Sequence, residues 1–335
     1  MKYMVSIKYL IVCVIIIVCL IVISILYNTK NDSMKSYSST MFSMDTIISM
    51  EIDGIDLTKE IQSKIEELND ILDRHSQDTQ LYNLNKDGTL KNPSAYLQEL
   101  ISKTLELNQR FGNGVDITSG ALVDTWNISS DTPKIPTDSE ISHALETIGI
   151  ENISLTEDSI SLLNNCILDV GSVAKGYTLD VICTNLNNYM VDSACISMGS
   201  STLLYSVDNY SIGIRSPSDT NSIACKFIVN GTGYISTSGG YERYMEIDGE
   251  KYSHILDLSI GKPTTTDLTS VTVYTDSGIK SDFLSTLIYI GGTKNIYNHI
   301  NAEDYKIIAI DDKNNIYISK GLDYQILDSS LNLIQ

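Results

Sequence analysis

Apolar residues recur along the chain at two spacings, and each spacing predicts a type of element. Between residues 58 and 73 they recur every three or four positions (Ile61, Ile65, Leu68 and Leu72), which places them on one face of a helix. Shorter apolar runs bounded by turn residues predict strands. Helices are predicted at 58–73, 94–111, 138–148, 172–190 and 281–290, and strands at 42–52, 160–170, 196–205, 210–215, 224–229, 269–275, 305–310 and 315–318.

These elements follow one another without strict alternation, and the chain shows no internal repeat. That order favours the α+β class, with mixed sheets and packed helices, over a doubly wound parallel sheet. We therefore predict one α+β domain over residues 41–335, preceded by one N-terminal transmembrane helix.

The transmembrane prediction depends on residues 10–26, an uncharged apolar run close to the length that a bilayer-spanning helix needs. Lys2 and Lys8 precede it, which favours a cytoplasmic N-terminus. We expect a cytoplasmic tip and signal anchor at 1–30, a polar tether at 31–40 and an extracytoplasmic domain at 41–335. The protein would then be a single-pass protein of the cell membrane.

Two alternatives to an uncleaved anchor remain open. A cleaved signal peptide requires small residues before the cleavage site, and none precede the polar segment that follows residue 26. A lipoprotein requires a small residue before its cysteine, whereas Cys13 and Cys19 both follow valine.

Charge excludes one class of partner. The chain has 23 basic and 42 acidic residues, a net charge of −19, whereas a nucleic-acid binder needs a positive field to replace phosphate counterions. An anionic ligand must therefore be held by a bound cation or by backbone amides rather than by a basic surface. Cys166, Cys183, Cys195 and Cys225 show no CxxC spacing, so a zinc site is not expected, and disulfide pairing stays open.

Two segments combine glycine with polar residues where a ligand could approach the backbone. In 114–120, Asp116 and two hydroxyl residues lie between glycines, although a capped turn before a helix explains the same pattern. In 168–177, a strand ending at Asp169 leads through glycine into a helix whose first turn contains Lys175. Such a helix N-terminus favours an anion, but the spacing is neither a P-loop nor a dinucleotide fingerprint.

Two further segments contain groups suited to catalysis. In 236–263, His254 lies among polar and aromatic residues, although a hydrogen-bonded structural histidine is the commoner case. In 281–287, Asp282 and Thr286 are four residues apart and share one face of the predicted helix. A carboxylate and a hydroxyl suit Mg²⁺, and a helix N-terminal charge is the alternative explanation for Asp282.

Taken in order, these segments resemble the FAD:protein FMN transferases, the ApbE family, over residues 41–292. The matching sequences are MFSMDTIISMEI (41–52), LYNLN (81–85), GVDITSGALVDTW (114–126), LDVGSVAKGYTLD (168–180), ISMGSSTLLY (196–205), STSGGYERYMEIDGEKYSHILDLSIGKP (236–263) and SVTVYTDSGIKSDFLSTLIYIGG (270–292).

The resemblance implies a role for each matching position. Asp282 and Thr286 would bind Mg²⁺, with a third ligand from Ser172. Asp282 would also be a catalytic residue. His254 would act on the acceptor hydroxyl as a base or a positioning group. Contacts to the flavin nucleotide are implied for Met44, Asp116, Asp169, Lys175, Ile255 and Ser285, with Tyr82 and Thr237 as further candidates.

The chain departs from the family pattern at three places. Met-Gly-Thr is Met44-Asp45-Thr46 here, so an acidic residue replaces a glycine. Gly-Gly-Asn is Gly199-Ser200-Ser201, and a proline expected in the histidine segment is Leu258. The first two departures are expected to reshape the flavin pocket.

Three functions are consistent with these residues. The favoured one is Mg²⁺-dependent transfer of FMN from FAD to a Thr or Ser hydroxyl of an acceptor protein, with release of AMP. In the second, water replaces the acceptor, and the protein is an FAD pyrophosphatase. In the third, it is a non-catalytic, membrane-tethered flavin-binding protein. The resemblance implies an acceptor among FMN-carrying subunits of membrane redox complexes or extracellular electron-transfer lipoproteins.

Overall fold

A ten-stranded sheet organises the molecule. The computed structural model describes residues 35–128, 134–217, 219, 221–240 and 243–334. The described strands are β1 Ser36–Ser43, β2 Thr46–Asp53, β3 Thr89–Lys91, β4 Ile153–Leu155, β5 Ser159–Leu162, β6 Ser193–Met198, β7 Ser201–Arg215, β8 Ile223–Gly239, β9 Tyr244–Ile247, β10 Glu250–Ser253, β11 Leu256–Asp257, β12 Lys262–Pro263, β13 Leu268–Thr275, β14 Tyr305–Asp311, β15 Asn315–Ile318, β16 Asp323–Ile326 and β17 Asn332–Ile334. The order of strands in the large sheet is β1-β2-β6-β7-β8-β13-β14-β15-β17, with β16 paired to β8, and neighbouring strands are antiparallel except for β15 and β17. Smaller sheets are β3-β5-β4, β9-β10 and β11-β12.

The described helices pack mainly on one face of this sheet. They are α1 Thr58–Leu72, α2 Gln80–Asp87, α3 Ala95–Phe111, α4 Gly120–Trp126, α5 Asp138–Leu145, α6 Ala174–Leu186 and α7 Gly278–His299, the last interrupted at Gly292. The four apolar residues that predicted α1 are all buried, so the helical pattern was correct there. The α+β prediction is confirmed.

The predicted strand 42–52 is two strands. Met44 and Asp45 have φ of 49° and 55°, and these left-handed conformations form a two-residue hairpin turn between β1 and β2. Because β1 begins at Ser36, residues 36–40 belong to an edge strand and not to the predicted tether. Polar residues are tolerated there because an edge strand faces solvent.

Other boundaries differ for local reasons. The predicted strand 160–170 ends at Leu162, because Asn164 and Asn165 adopt left-handed turns with φ of 53° and 55°. The predicted strand 196–205 is divided at Gly199, with φ of 63°, into β6 and β7. Helix α6 ends at Leu186, and the short helix α2 was not predicted, whereas α4 is the helix that the alternative explanation of 114–120 placed after the turn.

Hydrophobic clusters cover both faces of the sheet. On one face, β13 and β14 pack against α1, α3, α6 and α7, with Phe283 and Tyr177 fully buried. On the other face, the outer half of the β7–β8 hairpin folds back, so that Phe227 joins Ile235 and Ile308 in one cluster. The strands beneath the site are therefore packed on both faces.

No helix among the described residues is both long and apolar enough to cross a membrane. The predicted anchor at 10–26 lies outside the described residues. The four cysteines of the domain, Cys166, Cys183, Cys195 and Cys225, are free thiols.

Candidate active site

An open cleft of about 1370 Å³ collects the predicted site residues. Every one of them except Tyr82 lines it: Met44, Asp116, Asp169, Ser172, Lys175, Thr237, His254, Ile255, Asp282, Ser285 and Thr286. These residues come from the β1–β2 turn, the approach to α6, β8, the segment before β11, and α7. Segments far apart in sequence therefore meet at one place.

Asp282, on the first turns of α7, lies at the centre of a buried hydrogen-bond network. It is 5% exposed, and its Oδ1 accepts from Ser201 Oγ at 2.6 Å and Ser236 Oγ at 2.5 Å. Its Oδ2 accepts from Gly176 N at 2.7 Å. All three donors are neutral, so none supplies the positive charge that usually accompanies a buried carboxylate.

Two glycines bring Gly176 N–H within reach of Asp282. A Cβ added at Gly176 would lie 2.1 Å from Gly278 O and 2.9 Å from Asp282 Cγ, and a Cβ at Gly278 would lie 2.1 Å from Gly176 O. Helices α6 and α7 therefore touch through their backbones. Asp180 of α6 strengthens this contact, because its carboxylate accepts from Gly278 N at 2.7 Å and caps α7.

Thr286 lies one turn beyond Asp282 on α7 and also lines the cleft. Ser238 Oγ is 3.2 Å from Thr286 Oγ1 and 3.0 Å from Ser285 Oγ. Since side chains alternate along a strand, Thr237 points away from these groups, and its hydroxyl instead pairs with Thr272 at 2.9 Å. Thr237 therefore lines a part of the cleft away from Asp282.

Two of the cationic side chains that line the cleft, Lys175 and Arg243, lie near His254. Lys175 lies in the first turn of α6 and has no hydrogen-bond or ion-pair partner within the part of the chain that the structure describes. Arg243 lies before β9, and both side chains are close enough to His254 to lower the pKa of its imidazole. The two cations lie at a helix N-terminus and beside a histidine, where an anion would be stabilised.

The orientation of His254 is set by a main-chain carbonyl. Its Nδ1 lies 2.9 Å from Arg243 O, and its backbone N–H donates to the same oxygen at 3.2 Å. Because a carbonyl only accepts, Nδ1 must carry the proton, which leaves Nε2 of the neutral ring with a free lone pair. Desolvation by the cleft walls lowers the pKa of the imidazole, so the neutral form is favoured at neutral pH.

The side chain of Arg243 spans to the opposite rim. Its Nη2 donates to Asp45 O at 2.6 Å, in the β1–β2 turn beside Met44. Met44 points inward, where Thr178 Oγ1 lies 3.6 Å from its sulfur. The position where the family pattern has glycine is thus occupied by Asp45 in a left-handed conformation, within a turn held by Arg243.

A buried arginine organises another part of the cleft. Arg74, whose side chain is 9% exposed, bonds Asp169 Oδ2 at 2.7 Å and Asp124 Oδ2 at 2.6 Å. Its Nε is buried and has no partner among the residues that the structure describes. Asp169 also accepts from Gly171 N at 2.8 Å, which fixes the turn leading to α6. Asp169 is therefore an ion-paired residue of the cleft wall.

Asp116 is 4% exposed and accepts from Thr118 N at 2.8 Å and Thr118 Oγ1 at 2.7 Å. Burial raises the pKa of its carboxyl group, and the two bonds from Thr118 oppose this rise. Ile255 is 7% exposed and adds an apolar surface beside His254. These residues give the cleft mixed polar and apolar walls.

Tyr82 is the exception among the predicted residues. It lies in the first turn of α2, where its backbone N–H donates to the Thr79 cap at 3.2 Å, and it does not line the cleft. His75, in the preceding loop, does line it. No role was predicted for Arg74, Ser201, Ser236 or Arg243, because their importance depends on partners from distant segments.

A metal at this place would depend on oxygen ligands. Within the described residues, no group of three or more His, Cys, Asp and Glu side chains is arranged to hold a metal ion. Asp282, Thr286 and Ser172 instead offer a carboxylate, a hydroxyl and a hydroxyl or carbonyl at one cleft. A hard cation such as Mg²⁺ accepts such a set and completes its shell with water or ligand phosphate.

Comparison with known sequences identifies the family. The sequence model of the ApbE family matches residues 44–310. The chain belongs to the ApbE family. Among its relatives, the FAD:protein FMN transferase of Vibrio cholerae is 28% identical over 249 residues, covering 72% of this chain and 75% of the relative. That of Klebsiella pneumoniae is 25% identical over 311 residues, covering 89% and 96%.

Solved structures of ApbE proteins share the fold. The ApbE protein of Thermotoga maritima superimposes with a TM-score of 0.77 at 20% identity, covering 85% of this chain and 97% of that one. The flavin transferase ApbE from Vibrio cholerae gives a TM-score of 0.73 at 24% identity, covering 89% and 98%. The cleft described above therefore lies in an ApbE fold.

Proposed function

We propose that this protein is an FAD:protein FMN transferase that uses Mg²⁺ and esterifies FMN to a Thr or Ser hydroxyl of an acceptor protein. The observation that carries the proposal is that a buried carboxylate (Asp282), a lysine without a partner in the described structure (Lys175) and an oriented imidazole (His254) line one cleft. Membership of the ApbE family and relatives named for this activity support it.

Lys175 and Arg243 would bind the diphosphate of FAD. In a chain of net charge −19, an anionic substrate needs local positive groups to reach the site. Lys175 has no described partner to release, and it lies where the N-terminus of α6 adds the positive end of its dipole. These groups would fix the diphosphate beside Asp282.

Asp282, Thr286 and Ser172 would hold the cation. The network around Asp282 consists of neutral donors, so a cation would supply the missing positive charge. When bound, Mg²⁺ neutralises charge on the diphosphate and makes the phosphorus more electrophilic. Asp282, Thr286 and Ser172 would also set the distance between the cleft wall and the bound nucleotide.

His254 would take the proton of the acceptor hydroxyl. The hydroxyl oxygen forms a bond to the FMN phosphorus, the bond from that phosphorus to the bridging oxygen breaks, and AMP leaves with the bridging oxygen. Nε2 is the free ring nitrogen, because Nδ1 is bound to Arg243 O. General-base assistance of this type contributes about 10²–10⁴-fold in rate.

The test measures both products with the purified full chain. The protein is incubated with FAD, MgCl₂ and an FMN-acceptor domain that contains a Thr. The mass of the acceptor and the amount of released AMP are then measured. We expect an acceptor mass gain equal to one FMN that requires Mg²⁺ and is lost in Asp282→Ala. Asp312→Ala removes an exposed carboxylate outside the cleft and should leave the activity unchanged.

Other outcomes assign the other functions. AMP and free FMN without any acceptor would identify an FAD pyrophosphatase. Bound FAD that stays intact after addition of Mg²⁺ and acceptor would indicate a flavin-binding protein without catalysis. Transfer that continues in Asp282→Ala would contradict the proposed role of this carboxylate.

We also propose that residues 10–26 anchor the protein in the cell membrane with the domain outside the cytoplasm. The uncharged apolar run and the two preceding lysines support this arrangement. The acceptor would then be an FMN-carrying subunit of a membrane redox complex or an extracellular electron-transfer lipoprotein. Protease added to intact cells should digest the domain, and digestion only after lysis would contradict the proposal.

A further inference from the structure

We propose that Ser201 and Ser236 restrict Asp282 to a single cation-binding oxygen, Oδ2, and thereby make the site prefer Mg²⁺ over Ca²⁺. The inference rests on the proposed function, because it concerns the cation assigned there. It adds two residues that neither touch the nucleotide nor bind the cation but determine how Asp282 binds it.

The hydrogen bonds are distributed unequally between the two carboxylate oxygens. Oδ1 accepts from Ser201 Oγ at 2.6 Å and from Ser236 Oγ at 2.5 Å. A carboxylate oxygen offers about two lone-pair sites, so Oδ1 is fully used. Oδ2 accepts only from Gly176 N within the described structure, at 2.7 Å, and keeps one lone pair for a cation.

The two serines are fixed by the sheet. Ser201 of β7 and Ser236 of β8 are direct register partners, so their side chains project side by side from the same face. They are 1% and 2% exposed, which prevents water from replacing either hydroxyl freely. Ser281 Oγ lies 2.7 Å from Ser236 Oγ but donates its own proton to Gly278 O at 2.8 Å, and the Ser236 proton is directed at Asp282 Oδ1.

Backbone contact fixes the other side of the carboxylate. Gly176 and Gly278 hold α6 against α7 so closely that an added Cβ would lie 2.1 Å from the opposite carbonyl oxygen. Asp282 is therefore held from the sheet on one side and from α6 on the other. Rotation that would present both oxygens to one cation requires breaking the bonds to both serines.

This restriction separates the two cations. Mg²⁺ demands near-octahedral geometry at short distances, which one carboxylate oxygen satisfies, with water and phosphate as further ligands. Ca²⁺ takes six to eight oxygens and gains from bidentate carboxylates. A carboxylate whose second oxygen is occupied by two hydroxyl donors is thus a better ligand for Mg²⁺ than for Ca²⁺.

Ser201 belongs to the Gly199-Ser200-Ser201 segment that departs from the family pattern. The departure does not leave Asp282 without a partner, because Ser201 Oγ donates to its Oδ1. The Ser201 hydroxyl therefore supplies a hydrogen-bond donor at a position where the family pattern has asparagine.

The test is a calorimetric titration of MgCl₂ and of CaCl₂ into the FAD-loaded full chain. Loss of groups that orient a metal ligand typically lowers metal affinity about 10–100-fold. In Ser201→Ala/Ser236→Ala we expect Mg²⁺ affinity to fall by about this factor while Ca²⁺ affinity falls less or rises. Ser201→Thr keeps a hydroxyl and should keep the preference for Mg²⁺.

Two controls separate this effect from general loosening. Ser319→Ala removes a serine that is also 1% exposed and whose Oγ accepts from Ile307 N at 2.9 Å, away from the cleft. It should lower stability without changing the ratio of the two affinities. If the double variant does not fold, Ser201→Ala alone provides the same comparison.

Each result decides between the proposals. Equal loss of both affinities, or no change in their ratio, in a protein that still transfers FMN overturns the role of the serines and leaves the proposed function intact. A wild-type protein that binds FAD but neither cation overturns both. A ratio shifted towards Ca²⁺ in the alanine variants, and restored in Ser201→Thr, supports the inference.

Discussion

The two sides of the cleft are built in different ways. The Asp282 wall, defined as Gly176, Ser201, Ser236 and Asp282, consists of core residues whose mutual hydrogen bonds join two helices and two strands. The His254 arm, residues 243–263, consists of short strands and turns, and its imidazole is held by one main-chain carbonyl within the described structure. We infer that changes in the wall affect folding and cation binding together, whereas changes in the arm affect mainly the rate.

The largest effect is expected from a change in the His254 arm, and it should appear only in the rate of FMN transfer. His254→Ala removes the free Nε2, and we expect FMN transfer to slow by about 10²–10⁴-fold. The free energy of unfolding should change by no more than about 0.5 kcal/mol, because His254 is exposed to the cleft. Initial rates and urea unfolding measure the two quantities.

His143→Ala is the matched control, since this side chain is 86% exposed and lies outside the cleft. It should alter neither quantity. A large loss of stability in His254→Ala would mean that the arm is as integral to the fold as the Asp282 wall.

In the wall, a single added methyl group should affect stability. Gly176→Ala places a Cβ 2.1 Å from Gly278 O, an overlap that backbone atoms can relieve only by separating α6 from α7. Overpacking of this kind destabilises by about 1–3 kcal/mol, which urea unfolding detects. We also expect weaker Mg²⁺ binding, because the Gly176 N–H moves away from Asp282.

Gly213→Ala provides the comparison, because the atoms nearest to its added Cβ, at 3.1 Å or more, belong to the Ile223 side chain, which can move. Its stability should stay close to that of the wild type. Full stability of Gly176→Ala would show that the two helices are not held by backbone contact.

A smaller effect is expected at the turn that Arg243 contacts. Asp45 has φ of 55°, a conformation that a β-branched residue adopts with a penalty of about 1–2 kcal/mol. We expect Asp45→Val to lower the unfolding free energy by about this amount, whereas Asp45→Gly should be nearly neutral. Equal stability of both variants would indicate a turn that changes conformation freely.

The smallest effect is a shift of the pH profile. Desolvation, and then the charges of Arg243 and Lys175, lower the pKa of His254 below its usual value of 6.5. The base must be neutral, so kcat/KM should rise with pH through this lowered pKa and level off above it. Arg243→Met removes one charge but keeps the carbonyl bound to Nδ1, and it should move the rising limb to higher pH.

A profile that does not move in Arg243→Met would mean that the neighbouring charge has little influence on the imidazole. Lys251→Met, at an exposed lysine outside the cleft, should leave the limb in place.

Local pattern predicted the elements well where packing follows a single face. The apolar spacing in α1 identified the residues that are buried, and the α+β class followed from the order of elements. The pattern did not predict that residues 42–52 form two strands, because the Met44-Asp45 pair lacks the glycine or asparagine that marks such hairpin turns. The short helices α2 and α4 have too few turns to show a period.

The site was predictable only in part for a physical reason. Asp282, Lys175 and His254 carry titratable groups in distinctive segments, so the sequence indicated them. Ser201 and Ser236 are ordinary strand residues until β7 and β8 pair beside α7. Arg74 is held at the cleft by Asp124 and Asp169, which lie 50 and 95 positions away. Tyr82 does not line the cleft, and a local resemblance does not specify which side of a helix meets it.

The partners of Asp282 also set the order in which the molecule can be assembled. They lie 106, 81 and 46 positions before it in the chain. Contacts of such long range form late and slowly, because the intervening loops must first be closed. During synthesis, the central network cannot exist until α7 has been made, so a chain that ends before this helix would retain most of the sheet strands but no assembled site.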